Sequence, residues 1–209
     1  MLDLGCGDGP LLRRVPGAIG VDLSAGELRA AAGGARVQAR ADALPLGDAT
    51  VDVVLSHLAL MLMQPFAAIA DELARVVRPG GEVVAIVGGG PVEPPAPGDA
   101  FARFLELVRP HLVAAGAPVR LGDRRARTDA GWREVLGPRG FVVDDAQRLV
   151  VDLSGDRDQV WATLLSMYGG ERLDDAVRAE LRAQLWPAPD DGVATPCAMV
   201  VWRLRAVRR

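Results

Sequence analysis

Three glycines and four carboxylates within the first 42 residues carry the clearest chemistry in this 209-residue chain. Gly5, Gly7 and Gly9 follow the run Leu2-Asp3-Leu4, so a buried strand is expected to lead into a tight glycine loop. Pro10 suits the first turn of a following helix, where its missing N–H costs nothing. Strand, glycine loop and helix N-terminus together form the entrance to a nucleotide site in an open α/β sheet. The dinucleotide pattern G-x-G-x-x-G fails, because Pro10 stands where its last glycine belongs. The acids decide further. Asp3 and Asp8 flank the glycines, Asp22 ends the next apolar run and Asp42 follows the third. Four carboxylates repel a pyrophosphate and suit a ligand with an ammonium, a sulfonium, a ribose diol and an adenine amino group.

S-adenosylmethionine fits that description, and the wider pattern agrees. Asp3-Leu-Gly-Cys-Gly-Asp-Gly9 resembles motif I of the class I S-adenosylmethionine-dependent methyltransferases. The likeness continues in order through Gly20-Val-Asp-Leu-Ser24, Ala41-Asp-Ala-Leu-Pro45, Val51-Asp-Val-Val-Leu-Ser56 and Arg75-Val-Val-Arg-Pro-Gly-Gly81. The resemblance implies S-adenosylmethionine as cofactor, S-adenosylhomocysteine as product, and a site built from these blocks. Asp3, Gly5, Cys6 and Gly7 would form the loop around the methionine moiety, with Asp3 orienting loop amides or the ligand's ammonium. Asp22 would accept both ribose hydroxyls, and Leu23 would pack on the adenine. Asp42, Ala43 and Leu44 would hold the adenine edge. Ser56 and His57 would touch the methionine end and border the acceptor. An imidazole titrates near neutrality, so His57 is also the candidate general base, against a plain role lining the pocket. No metal ligand set is expected.

The elements needed to position these groups can be read from hydrophobic period. Ala18 to Asp22 gives a second strand, and Ser24 with Glu27 gives a capping box for a helix over Ala25–Ala32. Arg36–Arg40 alternates as an edge strand, and Val51–Ser56 is apolar on both faces. A helix over Pro65–Val77 stops at Pro79-Gly80-Gly81 and leads into a strand over Glu82–Val87. Gly88 to Gly98 is expected to be a mobile loop. Further helices are expected near Asp99–Ala115, Trp132–Leu136, Asp156–Met167 and Arg172–Trp186. Phe141–Val143 and Leu149–Leu153 read as strand ends or one irregular strand, and Met199–Val207 as a strand with one wet face. The expected fold is therefore α/β: a doubly wound, Rossmann-like, mostly parallel sheet with helices on both faces and the last strand antiparallel. One domain is expected over 1–209, with a cofactor-binding half at 1–87, a helical insert or cap loop at 88–130 and a C-terminal half at 131–209.

A formal charge of −3 and aromatics at 4% argue against nucleic-acid partners. The longest apolar run, Val51 to Met63, is interrupted by Asp52 and His57 and too short to span a bilayer. With two cysteines and no charged-then-apolar leader, a cytoplasmic protein is expected. Family members normally carry helices ahead of the first strand, whereas this chain begins inside it; either it is a minimal variant or its start lies upstream. His111 is expected at the surface. Arg120, Arg124, Arg125 and Arg127 form either an anion site for the acceptor or a solvated loop. Met61, Met63, Trp161, Met167 and Tyr168 could line an apolar acceptor pocket or pack in the core.

The position after the fourth strand reads Ser56-His57-Leu58-Ala59, without the Asn/Asp-Pro-Pro-aromatic motif of enzymes that methylate nucleic-acid amines. The expected function is methyl transfer by in-line displacement to an oxygen or nitrogen of a small-molecule metabolite. A binding-only or truncated relative and a tRNA or protein methyltransferase are the alternatives.

Overall fold

The computed structural model describes residues 1–114, 122–167, 170 and 173–209. Ala115, Arg120, Tyr168 and Arg172, invoked above, lie outside them. Seven strands form one sheet: β1 (Leu2–Leu4), β2 (Ile19–Asp22), β3 (Ala35–Gln38), β4 (Val51–His57), β5 (Val77–Pro91), β6 (Phe141–Asp152) and β7 (Ala198–Arg208). Their order is β3-β2-β1-β4-β5-β7-β6, with helices flanking and the last strands antiparallel. β1 lies parallel between β2 and β4, with Asp3 opposite Gly20 on one side and Leu55 on the other. The chain winds outward from β1 to β3 and returns to β4, so the switch point falls between β1 and β4. Ligand crevices form there, beyond the carboxyl ends of the strands. This is the doubly wound architecture expected.

Six α-helices are described: α1 (Ala25–Ala30), α2 (Phe66–Val76), α3 (Ala100–Ala114), α4 (Asp129–Leu136), α5 (Arg157–Met167) and α6 (Asp175–Leu185). Helix α2 buries Phe66, Ile69, Leu73 and Val76, spaced along one face as the sequence requires. That face packs in a core with Leu2, Leu4 and Val54, to which α4 adds Trp132 and Leu136. The Trp132 indole N–H donates to the Ala126 carbonyl at 3.0 Å, so this large buried ring leaves no orphan donor.

Several expectations need correction. The helix expected to open at Pro10 is a set of turns, closed by bonds such as Arg13 N–H to Gly9 O at 3.1 Å. Pro16 and Gly17, the latter at φ 81°, end that stretch before a regular helix can propagate. Helix α1 stops at Ala30, two residues early. Strand β5 starts at Val77, directly after α2, and absorbs Pro79-Gly80-Gly81 as an irregularity: its pairing with β4 jumps from Val51↔Val77 to Val53↔Glu82. The same strand runs to Pro91, so the first residues of the expected loop are extended. Helix α4 begins at Asp129, three residues early, because Thr128 caps it by accepting the Gly131 N–H. Residues 141–152 form one continuous strand.

By backbone packing the chain divides into two compact units. The first comprises Met1–Gly88, Leu121–Arg148 and Trp202–Arg209. The second comprises Gly89–Arg120 and Leu149–Val201. Within the second, α3 packs against α5 and α6. Trp161 meets Phe104 and Trp186 edge-on, with centroids 6.0 and 6.2 Å away. Buried Asp99 caps α3 through Ala102 N–H and also accepts the Ala198 N–H. His111 is half-buried on α3 rather than fully at the surface. No helix among the described residues is long and apolar enough to cross a membrane.

Candidate cofactor site

The site lies in the first unit and begins with the glycine loop. Gly5, Gly7 and Gly9 all take positive φ, at 75°, 53° and 82°. The Gly5 and Cys6 N–H groups both donate to Val21 O, at 2.8 and 3.1 Å, which folds the loop over the end of β2. A Cβ at Gly5 would stand 2.4 Å from the Ala59 Cβ and 2.8 Å from the Met63 Cε. The close approach that demands glycine here comes from the turn after β4. At Gly7 the nearest atom to a Cβ is Glu27 Oε2 at 3.9 Å, so its glycine answers to backbone conformation alone.

Asp22 stands where β2 ends. One carboxylate oxygen accepts the Gly7 N–H at 2.9 Å and the other the Ser24 N–H at 2.8 Å. Ser24 in turn accepts the Glu27 N–H and caps α1. The capping box expected from Glu27 is thus half made, because Asp22 already holds the Ser24 amide. Each Asp22 oxygen keeps a further lone pair for a ligand.

Asp3 is 1% exposed beneath this loop. Its Oδ2 is buried without a hydrogen-bond partner among the described residues. Burial, and then the charge of Asp22, pushes its carboxyl up to about 6. A buried acceptor with no donor, close to a second carboxylate, is suited to a cationic group. Cys6 packs with Leu12 and Ala18. Burial, reinforced by Asp3 and Asp22, pushes its thiol up to about 11, which disfavours the thiolate at neutral pH.

A cavity of about 360 Å³ opens beside these residues. Leu4, Gly5, Val21, Asp22 and Leu23 form one wall. Ala39, Arg40, Ala41 and Asp42 form a second, and Ala59, Leu62, Met63, Gln64 and Ile69 close the third side. Leu23 is 64% exposed at the mouth, an apolar surface ready to be covered. Asp42 lines the cavity but is not alone: Arg40 donates to both its oxygens, at 2.8 and 2.7 Å. That bond holds the Asp42 carboxyl below its usual range.

Other expected residues stand elsewhere. Ala43 and Leu44 fall outside the lining, as do Asp3, Cys6 and Gly7. Leu44 is buried, its N–H donating to Glu72 and its carbonyl accepting from Arg75. Ser56 is buried, its hydroxyl donating to Leu4 O at 2.9 Å and accepting the Leu60 N–H at 3.0 Å. It braces β1 against the following turn. His57, one residue on, alternates to the opposite side; it is exposed and does not line the cavity. Asp8 is exposed and pairs with Arg13 at 3.6 Å.

A second, open cavity of about 510 Å³ is lined by Gln64, Pro65, Gly122, Asp123 and Arg124. It shares Gln64 with the first. A Cβ at Gly122 would lie 2.1 Å from the Met61 carbonyl, so the turn carrying Arg124 to Arg127 is seated hard on the turn after β4. The arginine cluster is divided in its roles. Arg125 is held by Asp123 and Glu134, and Arg127 donates to the Met61 sulfur at 3.3 Å. Arg124 is exposed and faces the cavity, with no ion-pair partner among the described residues. Of the expected apolar pocket, Met61 and Met63 belong to this unit, and Trp161 packs in the second one.

Sequence reasoning missed Ala59, Leu62 and Ile69, which have no polar chemistry to announce them, whereas Met63 was among the candidate pocket residues. Arg40 was legible: an Arg two residues before an Asp is its natural partner, here across the turn closed by the Ala43 N–H donating to Arg40 O at 3.2 Å. The residues fit a zwitterionic nucleoside. Asp22 offers two anionic oxygens at the cavity wall, Leu23 an uncovered apolar face, and Asp3 a buried acceptor lacking a donor.

Comparison with known proteins shows the family. A family model described as a methyltransferase domain matches residues 2–85. The chain is 42% identical over 208 residues to a malonyl-[acyl-carrier protein] O-methyltransferase of Pseudescherichia vulneris, covering 90% of this chain and 74% of that protein. It is 36% identical over 110 residues to an uncharacterised protein of Mycobacterium tuberculosis, a match spanning 50% of this chain and 38% of that protein. Its fold is similar to the crystal structure of YcgJ from Bacillus subtilis, with a TM-score of 0.61 at 16% identity over 100% of this chain and 91% of that one.

Proposed function

This chain belongs to the class I S-adenosylmethionine-dependent methyltransferases, and from that premise we propose that it methylates an oxygen or nitrogen of a small-molecule metabolite. The observation that carries the reading is the pair of adjoining cavities that share Gln64, one walled by Asp22 and Asp42 and the other by Arg124. The first takes S-adenosylmethionine and releases S-adenosylhomocysteine. Asp22 accepts the ribose hydroxyls through the lone pairs its two amide bonds leave open. Leu23 covers one face of the adenine, and Asp42, kept ionised by Arg40, accepts the adenine amino group. Asp3 receives the ammonium of the methionine moiety.

When bound, S-adenosylmethionine supplies an electrophilic methyl on a sulfonium whose thioether departs neutral. The residues of this chain therefore need not protonate a leaving group. Their work is to align the acceptor atom and to exclude water, an effect of proximity rather than of acid–base chemistry. His57, outside the cavity wall, is left without a role as general base.

The second cavity takes the acceptor, with Arg124 as its cationic anchor. Asp123 lines the same cavity, but its charge is matched by Arg125. An anionic metabolite suits such a wall. The relative in Pseudescherichia vulneris bears the name of an enzyme acting on malonyl-[acyl-carrier protein], which supports oxygen as the accepting atom. Cys6 and Cys197 are both free, in keeping with a cytoplasmic setting.

Incubation with methyl-labelled S-adenosylmethionine and panels of carboxylated and neutral metabolites tests the reading. Label is expected in a carboxylate-bearing acceptor, and Arg124→Ala should raise KM for it while S-adenosylhomocysteine affinity stays constant. Transfer only to neutral acceptors, indifferent to Arg124, would remove the proposed acceptor site.

A further inference from the structure

We propose that Arg75 and Glu72, which do not line the cavity, are positioning residues that set the affinity for the adenosine half of the cofactor. The inference rests on the cofactor assignment above but concerns residues outside it. Both stand on α2, three residues apart, and Ile69 on the same helix reaches the cavity wall. The Arg75 guanidinium uses all five of its donors. Its Nε and one Nη2 hydrogen go to the two oxygens of Glu72, at 2.9 and 2.8 Å. The other Nη2 hydrogen goes to Leu44 O at 2.9 Å, and Nη1 binds Leu46 O at 2.7 Å and Asp48 at 2.8 Å. Glu72 then accepts the Leu44 N–H at 2.8 Å, and the Arg75 carbonyl accepts the Ala49 N–H at 2.8 Å.

Every one of these bonds beyond the Glu72–Arg75 pair ends on the stretch from Leu44 to Ala49. That stretch continues directly from Ala39–Asp42, the cavity wall beside the adenine. Leu44 and Leu46 also pack in the core. The segment has no strand or helix of its own between β3 and β4, so its path depends on these bonds together with the packing of Leu44 and Leu46. Ala49 moreover sits at φ 53°, an unfavourable conformation held by its amide bond to Arg75. Anchoring the far limb of the loop to α2 fixes where Asp42 and Ala41 stand relative to Ile69. Charge reinforces it: the Arg75 bond holds the Glu72 carboxyl below its ordinary range.

Arg75→Lys tests this. One ammonium has three donors and cannot serve acceptors on opposite sides of a planar fork. Calorimetric titration with S-adenosylhomocysteine and with methylthioadenosine, which lacks the amino-acid half, reads the effect, alongside thermal unfolding of the free protein. Both ligands are expected to bind about tenfold more weakly than to the parent protein, by the same factor, as loss of one or two charged hydrogen bonds predicts. Unchanged affinity for both in folded Arg75→Lys overturns the proposal. So does a loss confined to S-adenosylhomocysteine, since the clamp acts at the adenosine end. Should Arg75→Lys fail to fold, Glu72→Gln decides by the same two titrations. If the parent protein itself binds neither ligand, the cofactor assignment has failed, a different outcome from failure of the clamp.

Discussion

Asp22 accepts the Gly7 N–H at 2.9 Å across the mouth of the glycine loop, and this bond ties the loop after β1 to the end of β2. The same carboxylate holds Ser24, and through it the cap of α1. One side chain therefore shapes the loop, starts a helix and presents its spare lone pairs to the cavity.

Asp22→Asn separates these duties. An amide has one acceptor oxygen, so either the Gly7 or the Ser24 N–H must face an NH2 group. A loss of about 1–3 kcal/mol in unfolding free energy is expected from chemical denaturation. Unaltered stability would mean that the loop is held by other bonds.

Asp3 gives the protein a pH dependence of definite sign. Its carboxyl is raised from 3.8 to about 6, so between those values the folded state binds more protons than the unfolded one. Stability contributed by this site is present below pH 4 and falls as pH rises through 6. Compared with Asp3→Asn, the parent protein should lose on the order of 2 kcal/mol across that interval. Ligand binding runs the other way. An ammonium needs the ionised form, so S-adenosylhomocysteine should bind more tightly as pH rises through 6, and this slope should vanish in Asp3→Asn. A pH-independent titration of the parent protein would contradict the contact.

Two glycines of the loop should respond unequally to alanine. Gly5→Ala adds left-handed strain and drives a methyl onto the Ala59 Cβ, for a loss of about 3 kcal/mol. Gly7→Ala meets nothing closer than 3.9 Å and should lose only the strain, about 1 kcal/mol. Equal losses by thermal or chemical unfolding would show that the turn after β4 yields.

Neighbouring Ser56 and His57 should separate just as clearly. Ser56→Ala orphans the Leu4 carbonyl and the Leu60 amide, both buried, and is expected to cost about 1–3 kcal/mol. His57→Ala should leave both stability and S-adenosylhomocysteine affinity unchanged. Retained binding with abolished methyl transfer would restore His57 as the base.

The contrast shows what sequence could carry. Strand alternation marks Ser56 as in and His57 as out, yet both sit in one motif, and motif position says nothing about which face each residue takes. The parallel sheet, the glycine loop and Asp22 were legible because each follows from neighbours within a few residues. Leu44 was not, since its backbone is claimed by Glu72 and Arg75 from 28 and 31 residues away. The helix expected after Pro10 fails for a local reason that was visible, Pro16 and Gly17 arriving within two turns. The irregular start of β5 was hidden, because Pro79-Gly80-Gly81 reads equally as a helix stop or as a break inside a strand.

The most direct test of the account is calorimetric titration of the parent protein and of Asp22→Ala with S-adenosylhomocysteine. A micromolar-range dissociation constant, ~−8 kcal/mol, is predicted for the parent protein. A loss of about a hundredfold is predicted for Asp22→Ala, the sum of two charged hydrogen bonds. Equal affinity in the two proteins, or no binding to either, would contradict it.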